Sequence, residues 1–480
     1  MKGPPPVIPI PPARERNLLL VRRKSRFLVA ALLGMTGFVL TQPSNRLEGQ
    51  TAERLEPPDW FAGDAHVHRS IGCARSNAKD MLTPQELLQV MMANNLAVIS
   101  VLADIGNGEG KYQERDIPLI NGQDSSVSTP DHIVHWDAEW HFDPEGVTFA
   151  DKAIGGHLIV LGLNSGKAFF SEYTYPVFSW AKSQGAIVGF AHAQYLPYGF
   201  YPPPDGVPQS LDCCAPLEYP VETALGTSSF LMEDVRGSDS ALQAYYRLLN
   251  TGFRPGLAAS TDYPCNNLEP YGTLLTYVRI PDGKLTYRKW IEGIAEGRTV
   301  ISRNGHNEFL ELKANETASP GDEIHLNGAN PVHVRIEWRS RNRGVGRIEL
   351  LQNGAVVASR TAHVTPGQPA VFEATLDFRQ SGWLAARRMD WQAGHRTQTG
   401  AVFVIVNGAP IRASVEDARF FVSWIDNLLK QTSPGGEWSS FFAKDRAAAQ
   451  ERYREARAIF LQRAAEVEKQ AAETKKQNIH

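Results

Sequence analysis

Residues 63–68 (GDAHVH) limit the possible folds of this chain more than any other stretch. In a β-strand, residues i and i+2 share a face, so His66 and His68 would present both imidazoles on the same side as Asp64. Imidazoles are common metal ligands, and a neighbouring carboxylate can bind the ion or orient an imidazole. The stretch therefore predicts a strand that ends in a metal site, although two hydrogen-bonded structural histidines would give the same pattern.

A repeated pattern between residues 60 and 307 predicts an α/β domain. A buried apolar run, a ligand-type residue, an irregular loop and a helix follow one another four times. The predicted strands cover residues 97–102, 154–163, 186–190 and 256–260, and the predicted helices cover 84–95, 175–184, 240–252 and 286–296. Thr83 and Glu86 form a capping-box pattern at the first helix. Because the carboxyl ends of parallel strands open on one face of an α/β barrel, we expect polar residues at those ends to meet.

Six ligand-type side chains fall in or near this domain's predicted strands. They are His66, His68, Glu139, His157, His192 and Asp262. Imidazoles combined with carboxylates suit zinc first, with manganese or iron as alternatives, rather than calcium. Glu139 is the best candidate for a bridging carboxylate between two divalent ions, which would lie about 3.5–4 Å apart. A lone histidine in an apolar run, such as His157, is usually a core residue whose hydrogen bonds are satisfied. The prediction of a metal site therefore rests on the six residues together and not on any one of them.

The flanking segments differ from this domain in composition and in the pattern of apolar residues. Residues 1–45 place Arg22-Arg23 before the apolar run 27–40, which predicts a signal peptide or an uncleaved N-terminal anchor. Residues 46–59 are a linker. Short alternating runs and a hairpin signal at Asn353-Gly354 predict a β-sandwich-like domain over residues 308–412. Residues 413–480 predict C-terminal helices.

Composition and cysteine usage narrow the function classes. The 480-residue chain has a net charge of −3, and its first 45 residues are its most basic part, so no basic surface for nucleic acid is expected. We expect an exported protein, periplasmic or extracellular, that contacts a membrane only through an uncleaved N-terminus. The sequence leaves open whether the protein forms a homo-oligomer. Cys73, Cys213, Cys214 and Cys265 suit an oxidising compartment, but three pairings are possible.

Residues 193–222 form a Pro- and Tyr-rich excursion that cannot be regular structure. One interpretation is a stiff aromatic wall suited to an apolar or aromatic small molecule. The other is a structural surface loop, and the sequence does not separate the two.

Together these motifs resemble the CehA/McbA-type (carbaryl-hydrolase-like) metallohydrolases of the PHP (polymerase and histidinol phosphatase) superfamily. The motifs are GDAHVHRS at 63–70, DAEW at 137–140, GGHLIVLGL at 155–163, GAIVGFAHA at 185–193, PLEYPVETALG at 216–226, YYRLLNTGFRP at 245–255 and ASTDYP at 259–264. They occur in the family's order over residues 60–307. The resemblance implies a PHP-type distorted β/α barrel with a metal centre at the strand ends.

The resemblance also implies roles for single residues. His66 and His68 match the first motif, Glu139 the bridging carboxylate, His157 and His192 the central histidines, and Asp262 the last carboxylate. Two family histidines are replaced: the second strand ends in Asp104-Ile105, and the last motif reads Asp262-Tyr263-Pro264. We therefore expect two divalent ions rather than three, and less capacity for phosphate-monoester chemistry.

The leading hypothesis is an exported metal-dependent hydrolase. A water activated by two metal ions would attack an ester, carbamate or amide of a small aromatic or apolar substrate. Asp262 would carry the proton to the leaving group, and Arg69, Tyr195 and Tyr263 are candidates for oxyanion stabilisation, although each is equally a candidate for a structural role. The alternatives are a PHP-type phosphoesterase and a non-catalytic metal-stabilised binding protein.

Overall fold

A large mixed β-sheet is the framework of the protein. The computed structural model describes residues 54–69, 81–106, 116–142, 154–167, 169, 171–193, 211, 214–234, 242–264, 271–390 and 395–477. The predicted segment at 1–45, Tyr195, most of the 193–222 excursion, and Cys73, Cys213 and Cys265 lie outside these residues. Residues 54–480 form one compact unit.

Seven α-helices lie within the described residues. They are α1 (Pro84–Ala93), α2 (Tyr175–Ser183), α3 (Tyr219–Ala224), α4 (Leu242–Asn250), α5 (Tyr287–Ala295), α6 (Val415–Thr432) and α7 (Arg446–Gln477). The capping box at α1 is confirmed, because the Thr83 side chain accepts from the Glu86 amide and Glu86 accepts from the Thr83 amide. None of the described helices combines the length and the apolar character that crossing a membrane requires.

Nine strands lie within the described residues before residue 303. They are β1 (Trp60–Val67), β2 (Val98–Gly106), β3 (Ile133–His141), β4 (His157–Leu161), β5 (Ile187–Phe190), β6 (Phe230–Glu233), β7 (Gly256–Ala259), β8 (Leu275–Arg279) and β9 (Thr299–Ser302). Their order in the sheet is β9-β8-β1-β2-β3-β4-β5-β6-β7. The Thr276 hydroxyl of β8 accepts from the Ala259 amide and donates to the Ala259 carbonyl in β7. Side-chain contacts therefore join the last strand of this order to the second.

Strand β4 runs against both of its neighbours. The pairs β1–β2, β2–β3, β5–β6 and β6–β7 are parallel, whereas β3–β4 and β4–β5 are antiparallel. His157, the first residue of β4, pairs with His141, the last residue of β3. The parallel arrangement expected from the sequence is therefore wrong at this strand, and β4 reaches the functional end of the sheet with its N-terminus.

Strand β3 shows how the sequence divides between two faces. Val134, Trp136, Ala138 and Trp140 join the apolar layer that the helices cover. The alternate residues Ile133, His135, Asp137, Glu139 and His141 lie on the other face, as a period of two requires. All nine residues of β3 are buried. The alternation of apolar and polar residues therefore marks a buried polar cluster at the end of the strand, not a face exposed to solvent.

The inner face is filled by a second apolar cluster beneath the polar strand ends. Ala65, Leu102, Ile159 and Met232 from four strands pack there with Trp290 of α5. Gly63 faces this helix: a Cβ atom at Gly63 would lie 2.5 Å from the Trp290 ring and 2.7 Å from the Val98 carbonyl oxygen. The glycine that opens the GDAHVH motif is therefore explained by packing under the site.

The β-rich part continues the same sheet and adds a second layer. Its strands are β10 (Glu308–Ala314), β11 (Glu323–Leu326), β12 (Asn330–Ser340), β13 (Gly344–Gln352), β14 (Ala355–Val364), β15 (Ala370–Phe378), β16 (Gly382–Met389), β17 (His395–Thr399) and β18 (Val402–Val406). Strands β10, β12 and β15 form a separate three-stranded sheet, and β9 pairs with β17 across the boundary predicted near residue 307. Asn353 and Gly354 both have positive φ, which confirms the predicted hairpin turn.

The C-terminal helices pack on the α/β part through buried polar contacts. Tyr453 of α7 donates to Glu218, and the Trp424 indole of α6 donates to the Leu217 carbonyl at 2.9 Å. Glu222 accepts from Thr174 at 2.8 Å and from Thr227. These contacts place two carboxyl groups, Glu218 and Glu222, in the interior beside α7.

Stability should fall with rising pH because of Glu222. Burial raises the pKa of Glu222 from its ordinary 4.5 to about 8. Between those values the unfolded state ionises Glu222 while the folded state keeps it protonated, so the free energy of unfolding decreases as pH rises. Glu222→Gln should therefore raise the melting temperature above wild type by an amount that is small at pH 4.5 and grows up to pH 8.

Glu86→Gln is the matched control for this prediction. Hydrogen bonds from Thr83 lower the pKa of Glu86, so this variant should lose stability where the carboxylate is ionised. Thermal melts of the three proteins across this pH range make the comparison. A gain from Glu222→Gln that stays constant with pH would contradict the assignment.

Candidate metal centre

The six predicted ligands meet at one end of the sheet. His66 lies in β1 and His68 directly follows it, Glu139 lies in β3, and His157 opens β4. His192 and Asp262 follow the ends of β5 and β7. The exposed fraction of each is 5% or less. The prediction that these scattered side chains converge is confirmed; the ions themselves stay a prediction.

Four of these side chains form the first donor group. The Nε2 atoms of His66 and His68 lie 3.1 Å apart. Glu139 Oε2 lies 3.2 and 3.1 Å from these nitrogens, and Asp262 Oδ1 lies 3.3 Å from both. A tetrahedral site with bonds of about 2.0–2.1 Å needs donor separations of roughly 3.3–3.4 Å. The first donor group therefore matches a tetrahedral ion such as zinc closely.

Three side chains form the second donor group. Glu139 Oε1 lies 2.9 Å from His157 Nδ1 and 3.5 Å from His192 Nε2, and these two nitrogens are 3.0 Å apart. Glu139 thus contributes one oxygen to each group. Three protein donors leave a tetrahedral ion one position for water or substrate, which distinguishes catalytic zinc sites from closed structural ones.

Two buried acceptor atoms support the presence of a cation. Glu139 Oε2 and Asp262 Oδ1 have no hydrogen-bond partner among the described residues, and neither is accessible to solvent. Leaving a buried carboxylate oxygen without a partner is costly, and a bound cation removes that cost. The chemistry and spacing of the donors therefore fit divalent ions in both groups.

His192 and Asp262 adopt left-handed backbone conformations. Their φ angles are 57° and 53°. Residues with a Cβ atom avoid this region, and such strain persists where the surrounding structure holds it in place. His192 lies two residues after the end of β5 and Asp262 three residues after the end of β7, and donor atoms of both side chains lie close to Glu139.

The charges of the cluster compensate one another in the absence of ions. Burial opposes protonation of His66, but Glu139, Asp262 and Asp234 outweigh it and hold its pKa well above the usual range. Burial also opposes protonation of His68. Asp104, followed by Asp262 and Glu139, outweighs it and raises the pKa of His68 to about 10. Protonated imidazoles thus balance the carboxylates, and bound metal ions would take over that charge.

Asp234 is the main residue that the sequence prediction missed. Its Oδ1 lies 2.9 Å from His66 Nδ1, and its Oδ2 lies 3.2 Å from His192 Nδ1 and accepts from the His192 amide at 2.6 Å. The acidic pair Glu233-Asp234 directly after the apolar residues 230–232 was the available signal, but β6 was not predicted as a strand. Carboxylates in this position orient metal-binding imidazoles.

His141 and Asp104 form a second pair that the sequence prediction missed. His141 Nε2 lies 3.0 Å from Asp104 Oδ1 and 3.3 Å from Glu139 Oε2. His141 shares the inner face of β3 with Glu139, two residues away, so the period of the strand was the signal. The pair adds a donor and an acceptor beside the bridging carboxylate.

Asp64 and Arg69 make structural contacts. Asp64 accepts from the amide of His66 at 3.3 Å and from the hydroxyl of Thr261 at 2.5 Å, and burial raises its pKa to about 7. It therefore ties β1 to the segment carrying Asp262 and belongs to neither donor group.

Arg69 donates to Asp116 at 2.8 Å and to the Leu82 carbonyl at 3.0 Å.

Tyr263 and Cys214 flank the cluster. The Tyr263 ring packs edge-on against Tyr271 with centroids 4.6 Å apart, and the Tyr263 carbonyl accepts from the His68 amide. Cys214 Sγ lies within 4.8 Å of donor nitrogens of His157 and His192. Cys214 is disulfide-bonded, so its sulfur is not available as a thiolate ligand.

Comparisons with known proteins add no identity. No family model matches the chain, and no curated protein matches it. The CARDB domain of a Pyrococcus furiosus protein, solved in complex with di-metal ions, is 13% identical with a TM-score of 0.16, covering 21% of this chain and 88% of that chain. A β-glucosidase from Erythrobacter marinus is 9% identical with a TM-score of 0.14, covering 69% of this chain and 38% of that chain. TM-scores this low establish no shared fold.

Substitutions should separate the two donor groups by metal content. His157→Ala removes a proposed ligand of the second group alone, so it should leave one zinc ion per chain where we expect two in wild type. Glu139→Gln weakens both groups and should leave fewer than one. His132→Ala is the control, because His132 Nδ1 lies 2.9 Å from the Leu96 carbonyl oxygen, in a contact that involves none of the proposed ligands.

The measurement is elemental analysis after zinc loading and dialysis. Near-ultraviolet circular dichroism checks that each variant is folded. Equal zinc content in wild type and in folded Glu139→Gln would contradict the proposed bridge.

Proposed function

We propose that this protein is an exported metal-dependent hydrolase that cleaves an ester, carbamate or amide bond of a small aromatic or apolar molecule. The proposal includes a PHP-type distorted β/α barrel and a CehA/McbA-type centre with two divalent ions, zinc first, with manganese or iron as alternatives. The sequence motifs and the geometry of the two donor groups support it.

The observation that carries the proposal is the position of Glu139. One of its oxygens belongs to each donor group, so a single carboxylate sets the separation of the two groups. Three of the six predicted ligands supply the second group, and among the described residues His141 lies beside it, 3.3 Å from Glu139 Oε2. A bridged pair with one open group suits water activation, whereas two closed groups would suit a structural role.

Different residues of the chain are proposed to bind the two ions and to transfer the proton. When bound, two divalent ions would lower the pKa of a water and polarise a substrate carbonyl. His66, His68 and Asp262 hold the first position, and His157 and His192 hold the second, with Glu139 between them. Asp262 is proposed to accept the proton of the attacking water and to return it to the leaving group.

The oxyanion role is proposed for Tyr263. Arg69 donates from Nη1 to Asp116 and from Nε to the Leu82 carbonyl, and these contacts support the structural alternative for that residue. Tyr263 directly follows Asp262 and is partly exposed, so its hydroxyl is the better candidate among the described residues. Tyr195 stays a sequence prediction.

The second candidate function is phosphoester hydrolysis on the same centre. The observation in its favour is the His141–Asp104 pair, which supplies donors beside Glu139 that the sequence prediction counted as missing. A fuller donor cluster suits a phosphate group, whose several oxygens need more partners than a carbonyl does.

A substrate panel separates the candidates. Nitrophenyl acetate, a nitrophenyl carbamate and nitrophenyl phosphate differ in the bond attacked while sharing one chromophore. We expect turnover of the acetate or carbamate by zinc-loaded protein and its loss after chelation. Turnover of the phosphate alone would favour the second candidate, and no turnover of any member by metal-loaded protein would favour a non-catalytic binding protein.

His192→Ala should abolish metal-dependent turnover while the protein stays folded. The expected decrease in kcat/KM is more than about 100-fold, because the second group would retain two protein donors. His132→Ala should retain wild-type turnover. Full activity of His192→Ala would overturn the assignment of the centre.

A further inference from the structure

We propose that Asp234 is a positioning residue shared by both donor groups, and that through it the binding of one ion favours the binding of the other. This inference rests on the proposed two-ion centre. It adds a coupling between the two positions that is separate from the bridge through Glu139.

The two oxygens of Asp234 serve different groups. Oδ1 lies 2.9 Å from Nδ1 of His66, whose Nε2 belongs to the first donor group. Oδ2 lies 3.2 Å from Nδ1 of His192, whose Nε2 belongs to the second. One carboxylate therefore sits behind one imidazole of each group, on the side away from Glu139.

This arrangement sets the tautomers of both imidazoles. A carboxylate accepts hydrogen bonds, so a neutral His66 keeps its proton on Nδ1, 2.9 Å from Asp234, and presents the lone pair of Nε2 to the donor group. We propose the same tautomer for His192, whose Nδ1 lies 3.2 Å from Asp234 Oδ2. An ion at the first position fixes His66 and with it the orientation of the carboxylate. The carboxylate in that orientation also fixes the His192 imidazole. The second ion then binds with a smaller loss of conformational entropy, because His192 is already ordered.

Asp234 is held firmly enough to transmit this constraint. The Ser260 hydroxyl donates to Oδ1 at 3.0 Å, and the amide of His192 donates to Oδ2 at 2.6 Å. The preceding residue, Glu233, pairs with Arg303 through two bonds of 3.0 and 2.8 Å, and both side chains are buried. The end of β6 is thus fixed on both sides of the chain.

Asp234→Asn tests the proposal because an amide offers only one acceptor oxygen. The His192 amide is a fixed donor, so the amide oxygen should turn toward it and the NH₂ toward His66. His66 Nδ1 then becomes an acceptor, its proton moves to Nε2, and the first position loses a ligand. We expect Co²⁺ affinity at that position to fall about 10–100-fold and the cooperativity between the two ions to decrease, because only the bridge through Glu139 remains.

Asp64→Asn is the matched control. Asp64 is equally buried and lies in the same strand as His66, but its contacts are with backbone amides and a hydroxyl rather than an imidazole ring. An asparagine there satisfies all of these groups. Its Co²⁺ titration should match wild type in stoichiometry, spectrum and cooperativity.

Co²⁺ titrations followed by visible absorption and calorimetry distinguish the outcomes. Wild type that binds no Co²⁺ overturns the proposed function itself. Wild type that binds two ions cooperatively, with an unchanged curve for folded Asp234→Asn, overturns only the coupling through Asp234.

If Asp234→Asn does not fold, Ser260→Ala decides instead. It removes one bond that orients Asp234 and should weaken the first position several-fold. An unchanged Ser260→Ala curve would overturn the proposal.

Discussion

Burying several carboxylates in one place is the constraint on which the rest of this structure depends. Glu139, Asp262, Asp234 and Asp104 lie at one end of the sheet with exposed fractions of 7% or less. Such a concentration of negative charge is stable only beside compensating positive charge. The surrounding imidazoles supply it as protons in the ion-free protein, and their spacing suits divalent cations. The fold is therefore organised so that charge, rather than apolar packing, fills the end of the sheet above the inner core.

The sheet delivers the ligands by three different devices. The parallel strand β1 brings His66 and His68 with its carboxyl end, and the inverted strand β4 brings His157 with its first residue. The parallel strand β3 brings Glu139, and left-handed backbone conformations after β5 and β7 place His192 and Asp262 at the same end of the sheet. The apolar layer beneath, closed by α5, supports all of them from below. Different local structures thus produce one cluster because each is fixed by packing on the same inner face.

Much of this could be predicted from the sequence, and the omissions have physical reasons. Long apolar runs, the capping box at Thr83 and the Asn353-Gly354 turn are local signals, and the corresponding elements are present. The six candidate ligands were identified because a resemblance supplied the long-range contacts that residue patterns lack. The direction of β4 was missed because a short, mostly apolar strand carries no information about its orientation in a sheet. Asp234 and His141 were missed because a second layer of contacts is defined by tertiary structure, not by spacing.

The central claim is that Glu139 bridges two metal ions at this end of the sheet. The most direct measurement is an anomalous-difference map at the zinc edge from crystals of the zinc-loaded protein. The account predicts two peaks, one on each side of the Glu139 carboxylate, about 3.5–4 Å apart. A map with no peak beside Glu139, or with a single peak bound only by residues outside the six ligands, would contradict it.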